Sequence, residues 1–460
     1  DDPYITNYLI KKSEYIQNER LNKKYVSLKV AINESKSGDT LKIISDGNNY
    51  DDISIENDMT LTIDFNGHMV NTSKIIRNLG ILNLTSSSSD ILALNTTLNS
   101  YLVYNNGILN LNDIYLKNNS STSAIDNYKT LNIISSKIDG GYGVYNENGG
   151  TVVVKNSTII GQQYAIYNRN KFEIYDSAIS GASYGIYSDE STNKQVNIIK
   201  DSEIEMTSAT TANGIYNSRG TINMANVDIN SGLTSNGALT YDTGNLGYSI
   251  INSGTMDLNN LIVNCDGYAA YYNSKSIISN TKNMTLKNSK ISLINPLSND
   301  LKGIYNAGAG TLLIENVNVN LDKNDKYGNL YGLYQDGGVV NYVTSNLNIK
   351  NGASTYGAYI NNGTMNILSG EIFSNNNKTN AYGIYIENGT VTLGEAEDPS
   401  SEVYGTENAN VSITNPSIKA IGTTTGIGVK RVNGYFNFYD GIITGSTNAK
   451  PDITSTVEYK

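Results

Sequence analysis

The chain has 460 residues, a formal charge of −10 and a pI near 4.8, a balance that argues against nucleic acid as a partner, which needs clustered Lys and Arg to displace counterions from phosphates. No apolar run approaches the roughly 20 residues of a membrane-crossing helix, so no direct membrane insertion is expected. One cysteine, Cys265, excludes an internal disulfide, and one histidine, His68, excludes any site needing two imidazoles.

Residues 1–26 read as a polar, weakly helical lead-in. A short helix follows: Ser27 can cap it, Leu28, Ala31 and Ile32 give it an apolar face, and Gly38 suits its exit. The alternating pairs Leu41/Ile43, Ile53/Ile55 and Leu61/Ile63 then start a series of strands.

From there the sequence repeats. A four-residue phrase recurs as Leu102-Val103-Tyr104-Asn105, Gly143-Val144-Tyr145-Asn146, Ala165-Ile166-Tyr167-Asn168, Gly185-Ile186-Tyr187-Ser188, Gly214-Ile215-Tyr216-Asn217 and Gly303-Ile304-Tyr305-Asn306, with weaker copies at 124–127, 249–252, 270–273, 332–335, 357–360, 383–386 and 426–429. An apolar-x-apolar triplet follows each, as in Leu109-Asn110-Leu111, Phe172-Glu173-Ile174, Val196-Asn197-Ile198 and Met365-Asn366-Ile367. Strict alternation means a strand with one buried face. A third segment reads Asn or Asp, often Ser, any residue and an apolar residue, as in Asn156-Ser157-Thr158-Ile159 and Asp201-Ser202-Glu203-Ile204. Three strands per roughly 20 to 35 residues fit one coil of a three-sided solenoid, whose stacking at about 4.8 Å would give a rod of roughly 65–70 Å.

The helix before Gly38-Asp39-Thr40, the phrase Phe65-Asn66-Gly67-His68 and the Gly-Ile-Tyr-Asn repeats with their Gly-Thr openings resemble the pectate-lyase-like parallel β-helix superfamily. Within it they most resemble the repeat-rich, adhesin-like surface proteins of Gram-positive bacteria. The resemblance covers about 27–446 and implies an all-β fold, a right-handed parallel β-helix of about fourteen or fifteen coils with a short N-terminal capping helix. Residues 27–446 are expected as one domain and 447–460 as a tail or junction. The superfamily hosts lyases, hydrolases, phage spikes and adhesins alike, so the resemblance specifies fold more than function.

Enzymes on this scaffold use carboxylates, Ca²⁺ and basic residues from one sheet, and their signatures are missing: there is no Asn-Thr-Asp, Gly-His-Gly, Arg-Ile-Lys or Asp-Pro-His-Asp. The five arginines fall on scattered coils. Asp176 and Asp201, at matching points of neighbouring coils, could supply a carboxylate pair, but Asn156, Asn288 and Asn316 hold equivalent places, and Asx side chains satisfy turn backbones. Asp322, Asn324 and Asp325 are interrupted by Lys323 and Lys326 and do not form a calcium loop. His68 reads as a turn residue and Cys265 as core filler. No catalytic residue, metal or cofactor is assigned.

The most distinctive feature is a row of tyrosines. With Val144, Ile166, Ile186 and Ile215 inward, period two sends Tyr145, Tyr167, Tyr187 and Tyr216 outward, and Tyr305, Tyr334, Tyr359 and Tyr385 extend the row, with Tyr104 and Tyr272 as further members. These are the candidate ligand-binding residues, since tyrosine joins an apolar face to a hydroxyl. The competing reading is aromatic stacking along parallel strands. The Asn residues that follow, including Asn105, Asn127, Asn146, Asn168, Asn217, Asn252, Asn273 and Asn306, should turn inward as an amide ladder, replaced near the C-terminus by Ile360, Ile386 and Val429. Long turns at 230–248, 292–302, 320–331 and 374–382 should crowd one edge, with a separate excursion at 394–412. The expected function is a non-catalytic extracellular bacterial surface module: an adhesin-like glycan- or protein-binding surface or a rigid spacer. Its partner would be a glycan or a host or bacterial surface protein, and the chain would be part of a larger multidomain protein. The alternative is a polysaccharide-active lyase or hydrolase with an unorthodox carboxylate site.

Overall fold

The computed structural model describes residues 13–96, 98–190, 195–206, 213–231, 249–266, 275–294, 300–323, 328–394 and 416–447, in two compact units, 1–160 and 161–460. Each unit is a right-handed parallel β-helix with three faces. No helix among the described residues is long and apolar enough to cross a membrane.

In the first unit the alternating apolar positions align coil upon coil. Ile53, Ile76, Val103, Ile125 and Val144 form one inward column, and Leu61, Leu82, Leu109, Leu131 and Val152 form a second. Val70, Leu94, Leu116 and Ile138 form the third. All are buried. Single coils lack the apolar surface to fold alone, and stacking supplies both the core and the backbone partners.

The capping helix spans Leu28–Glu34, with Ser27 accepting from the Val30 amide and Leu28, Ala31 and Ile32 buried, as the sequence predicts. The segment before it differs from expectation. Ile16–Asn18 and Lys23–Tyr25 form an antiparallel hairpin, and Ile16–Asn18 also pairs antiparallel with Asp39–Ile43, covering the first coil's open edge. The hairpin is held by a two-point ion pair: Arg20 Nε and Nη2 lie 2.5 and 2.9 Å from Asp39 Oδ1 and Oδ2. Asn18 Nδ2 and the Lys36 amide also donate to Asp39. Polar composition suggested a helix, but the edge partner decides the conformation.

In the second unit Ile166, Ile186, Ile215, Ile250, Ile278, Ile304, Leu333, Ala358, Ile384 and Val429 form one inward column. The neighbouring face stacks Ile174, Ile199, Met224, Leu258, Leu286 and Ile314. This register corrects the triplet at 196–198: Asn197 and Ile199 point inward, while Val196 is 43% exposed. The reason is the corner. Ile174, Ile199 and Met224 each precede by two residues a corner residue with positive φ (Asp176 48°, Asp201 49°, Asn226 55°), and that fixed offset selects the phase. Asn197 is accommodated inside because its Oδ1 accepts from the Phe172 amide at 2.8 Å.

The same left-handed corner recurs at Asn156, Asn260, Asn288 and Asn316, with φ of 47–55°. Asn and Asp tolerate this region best among non-glycine residues, which explains their recurrence. The serine that follows caps the ladder: Ser202 Oγ accepts from the Ser177 amide at 3.2 Å and donates to Lys200 O at 2.7 Å.

Inside the corner after the tyrosine phrase runs the amide ladder. Asn78 Nδ2 donates to Asn105 Oδ1, Asn105 to Asn127 and Asn127 to Asn146, each at 2.7 Å. In the second unit Asn217, Asn252, Asn280 and Asn306 continue the pattern at 2.7–3.0 Å. Asn280 therefore holds the place expected for Asn273, which, with Tyr272 and the phrase at 270–273, lies outside the described residues. Near the C-terminus Ile360 and Ile386 replace the amides as expected, but Val429 stacks on Ile384, and the ladder position passes to Arg431, whose Nη1 donates to Gly434 O at 3.2 Å.

Candidate functional site

Tyr145, Tyr167, Tyr187, Tyr216, Tyr305, Tyr334, Tyr359 and Tyr385 are all half-buried on the outer surface, between an inward apolar residue and an inward ladder residue. In the second unit the structure brings them into register in two blocks. Tyr167, Tyr187 and Tyr216 are adjacent, then Ile251 and Ser279 interrupt the column, and Tyr305, Tyr334, Tyr359 and Tyr385 resume it.

A second column stands three residues upstream: Tyr164 and Tyr184 in one block, Tyr331, Tyr356 and Tyr382 in the other. Period two sends these residues inward, yet they face out. The phrase turns two consecutive residues inward, as Ala165 and Ile166 do between Tyr164 and Tyr167. In Tyr356-Gly357-Ala358-Tyr359 and Tyr382-Gly383-Ile384-Tyr385 both middle residues are buried, so the strand skips one alternation. A Cβ on Gly357 or Gly383 would lie 2.5 Å from the carbonyl oxygen of Gly383 or Gly428, so only glycine fits. The repeated Tyr-x-x-Tyr spacing was the available signal.

Most in-column rings stack face to face, Tyr164 on Tyr184 at 5.0 Å and 3°, Tyr331 on Tyr356 at 4.8 Å and 12°, Tyr359 on Tyr385 at 5.1 Å and 6°, whereas Tyr305 and Tyr334 are tilted by 53° and Tyr187 and Tyr216 meet at 87°. Between columns they meet edge to face, as for Tyr356 and Tyr359 at 5.4 Å and 86°. The interior rings of a block therefore spend their faces on one another, and rows of edges and hydroxyls are turned outward. Burial raises the phenol pKa, with Tyr356 pushed up to about 12 and Tyr331 and Tyr359 further, so these hydroxyls stay protonated. Tyr359 Oη donates to Glu387 Oε2 at 3.2 Å and Tyr305 Oη to Asp336 Oδ2 at 3.3 Å. The Lys302 ammonium closes the end of the second block, 4.6 and 4.0 Å from the Tyr305 and Tyr334 ring centres.

Three of the five arginines stand beside column tyrosines of their own unit, while Arg20 and Arg431 lie elsewhere. Arg169 lies over Tyr167 at 5.8 Å, and Arg219 pairs with Asp189 at 2.7 Å beside Tyr187 and Tyr216. In the first unit Arg77 lies over Tyr104 at 5.1 Å.

The first-unit column is different. Its outward positions run Arg77, Tyr104, Asp126, Tyr145. Upstream, Ser123 stands in register with Tyr142. At one coil, therefore, both tyrosine positions hold small polar residues. Ser123 Oγ donates to Asp126 Oδ1, and Asp126 Oδ2 has no hydrogen-bond partner among the described residues. Tyr128 leans against Tyr104 at 5.0 Å and 39°. Burial pushes the Asp126 carboxyl up to about 6, against the Ser123 hydrogen bond and with a further push from Glu147.

Asp176 and Asp201 occupy the left-handed corners of another edge, where Asp201 Oδ1 accepts from Asn226 Nδ2 at 2.6 Å as part of an Asx ladder. Asp322 accepts from Asn351 at 2.8 Å, whereas Asn324 and Asp325 lie outside the described residues. His68 follows the Asn66-Gly67 turn, its amide bonded to Phe65 O at 2.8 Å, and Cys265 is buried. Of the long turns, 374–382 is described throughout, while 230–248, 292–302, 320–331 and 394–412 fall partly or largely outside the described residues.

No family model matches the chain, and no curated protein matches it. Among solved structures, the periplasmic alginate epimerase AlgG is similar at 10% identity and a TM-score of 0.25, over 91% of this chain and 82% of that one. A point mutant of the same enzyme gives 11% identity and a TM-score of 0.27, over 92% and 84%. Likeness this slight carries no argument about activity.

Proposed function

We propose that this chain is an extracellular, adhesin-like binding module whose tyrosine face meets a glycan. The observation that carries the reading is the in-register outward tyrosine columns, which repeat one contact at each coil spacing. Repetition suits a polymer: within a block each coil offers the same hydroxyls and ring edges to successive units of a chain, so weak contacts add. A glycan array, followed by titration of the best hit against the Tyr305, Tyr334 and Tyr359 triple serine variant, tests this. Lost binding with folded coils supports the reading, and unchanged affinity moves the site off these three residues.

A second reading, a polysaccharide-active enzyme, is favoured by Asp126 alone. A carboxyl that burial lifts to about 6 is the kind of group that general acid–base chemistry uses. Turnover assays on pectin, alginate and glycosaminoglycans separate the two, with none expected.

A further inference from the structure

We infer that the cavity between the capping helix and the first coil is a binding site for one neutral pyranose, a site apart from the tyrosine columns and independent of the reading given to them. The cavity measures about 470 Å³, within the roughly 300–1,000 Å³ of small-ligand sites, and lies wholly in the first unit. One wall is the flank of the helix Leu28–Glu34, where Lys29 and Asn33, four residues apart, share a face. The other wall is the strand Ile53–Ile55 with the residues after it, which contribute Ser54, Glu56 and Asp58. Ile32, Ile53 and Met59 give the cavity an apolar surface.

The polar side chains here are uncommitted. Elsewhere outward side chains bond along the stack, as Asn83, Asn110 and Asn132 do at 2.8–3.2 Å. At the cavity the side chains of Lys29, Asn33, Ser54, Glu56 and Asp58 have no hydrogen-bond or ion-pair partner among the described residues. The fold supplies the reason. Ile53–Ile55 has a strand partner in Ile76–Asn78, and its other neighbour is the helix, which offers no matching row of side chains. A pyranose presents C–H faces and a rim of hydroxyls, each both donor and acceptor. Glu56 and Asp58 accept, Lys29 donates, and Asn33 and Ser54 do both, so adjacent hydroxyls find partners while a C–H face lies on Ile32 and Met59. Charge selects the class of sugar. Asp52, which is 3.8 Å from Lys74, joins Glu56 and Asp58 against the single Lys29, so the wall repels a uronate and leaves a neutral sugar unaffected.

The test uses the full chain with glucose, galactose, mannose and N-acetylglucosamine as neutral probes and glucuronate and galacturonate as acidic ones, followed through the amide NMR signals of 29–35 and 53–59. At least one neutral sugar should shift these signals saturably at millimolar concentration, and both uronates should bind about fivefold more weakly or worse. Asn33→Ala combined with Glu56→Ala should weaken the best neutral sugar about tenfold or more. Ser54→Tyr should fill the cavity and abolish binding, and the coil tolerates it because Ser54 stands in register with Arg77 and, one coil further, Tyr104. Circular dichroism and thermal unfolding check that the variants keep the fold. Binding that survives both variants places the sugar elsewhere and overturns the site. Equal or tighter binding of a uronate overturns the class of sugar. No shift with any neutral sugar overturns the inference, whereas the tyrosine-face reading is still decided by its own triple serine variant.

Discussion

Asp126→Asn provides a test that needs no ligand. Burial among Tyr104, Tyr128 and Tyr145 lifts the carboxyl from the ordinary aspartate value of 3.8 to about 6. The folded chain thus holds this proton more tightly than the unfolded chain, and between about pH 4 and 6 unfolding releases it. The stability this group contributes is fully present below the unfolded pKa and is lost as pH rises through about 6. Two pKa units correspond to about 3 kcal/mol at most, and partial exposure of the carboxyl to water brings the expected range to about 1–3 kcal/mol. Asparagine keeps the shape and does not titrate. Urea unfolding followed through the amides of 103–146 at pH 4, 5, 6 and 7 should show the native chain losing that amount relative to Asp126→Asn. The carboxyl carbon signal of Asp126 should titrate near pH 6. A stability difference that stays constant across this range, or a midpoint near 4, would refute the reasoning.

Other outcomes follow from the same packing. Asn105→Ala removes an amide that donates to Asn127 Oδ1 and Thr130 O and accepts from Asn78, and should cost about 2–4 kcal/mol in urea unfolding by stranding buried partners. Tyr359→Ala breaks stacks with Tyr334 at 4.9 Å and Tyr385 at 5.1 Å, and should destabilise the second unit by about 1–3 kcal/mol, measured by hydrogen exchange there. Asp39→Asn should loosen the N-terminal hairpin at neutral pH. Arg20 holds the Asp39 carboxyl well below the usual range, so its contribution is present above about pH 4 and fades as pH falls below that, and native and variant protection at 16–25 should converge in acid.

Much of this fold is legible because the solenoid repeats a local rule. Alternation places Leu109, Leu131 and Val152 inward without reference to any distant contact, and the Asx-Ser phrase marks a corner because few residues tolerate positive φ. The inward amides follow from the same count. What escaped depends on neighbours. Val196-Asn197-Ile198-Ile199 offers two phases, and the fixed offset from the Asp201 corner, shared by Ile174 and Met224 on the neighbouring coils, chooses between them. The upstream tyrosines were hidden because two consecutive inward residues, Ala165-Ile166, Gly357-Ala358 and Gly383-Ile384, break the alternation. The hairpin at 16–25 gains its strand character from the edge of Asp39–Ile43, beyond the reach of local propensity. The interruption of the column at Asp126 was visible only as a weak copy of the phrase at 124–127.

Whether the tyrosine face meets a glycan is read most directly from the aromatic NMR signals of the native chain during titration with neutral tetrasaccharides. The ring signals of Tyr305, Tyr334, Tyr359 and Tyr385 should shift together and saturably, while those of Tyr342, fully buried outside the columns, should stay in place. Tyrosine signals that do not move for any neutral probe at millimolar concentration would contradict the proposed role of this face.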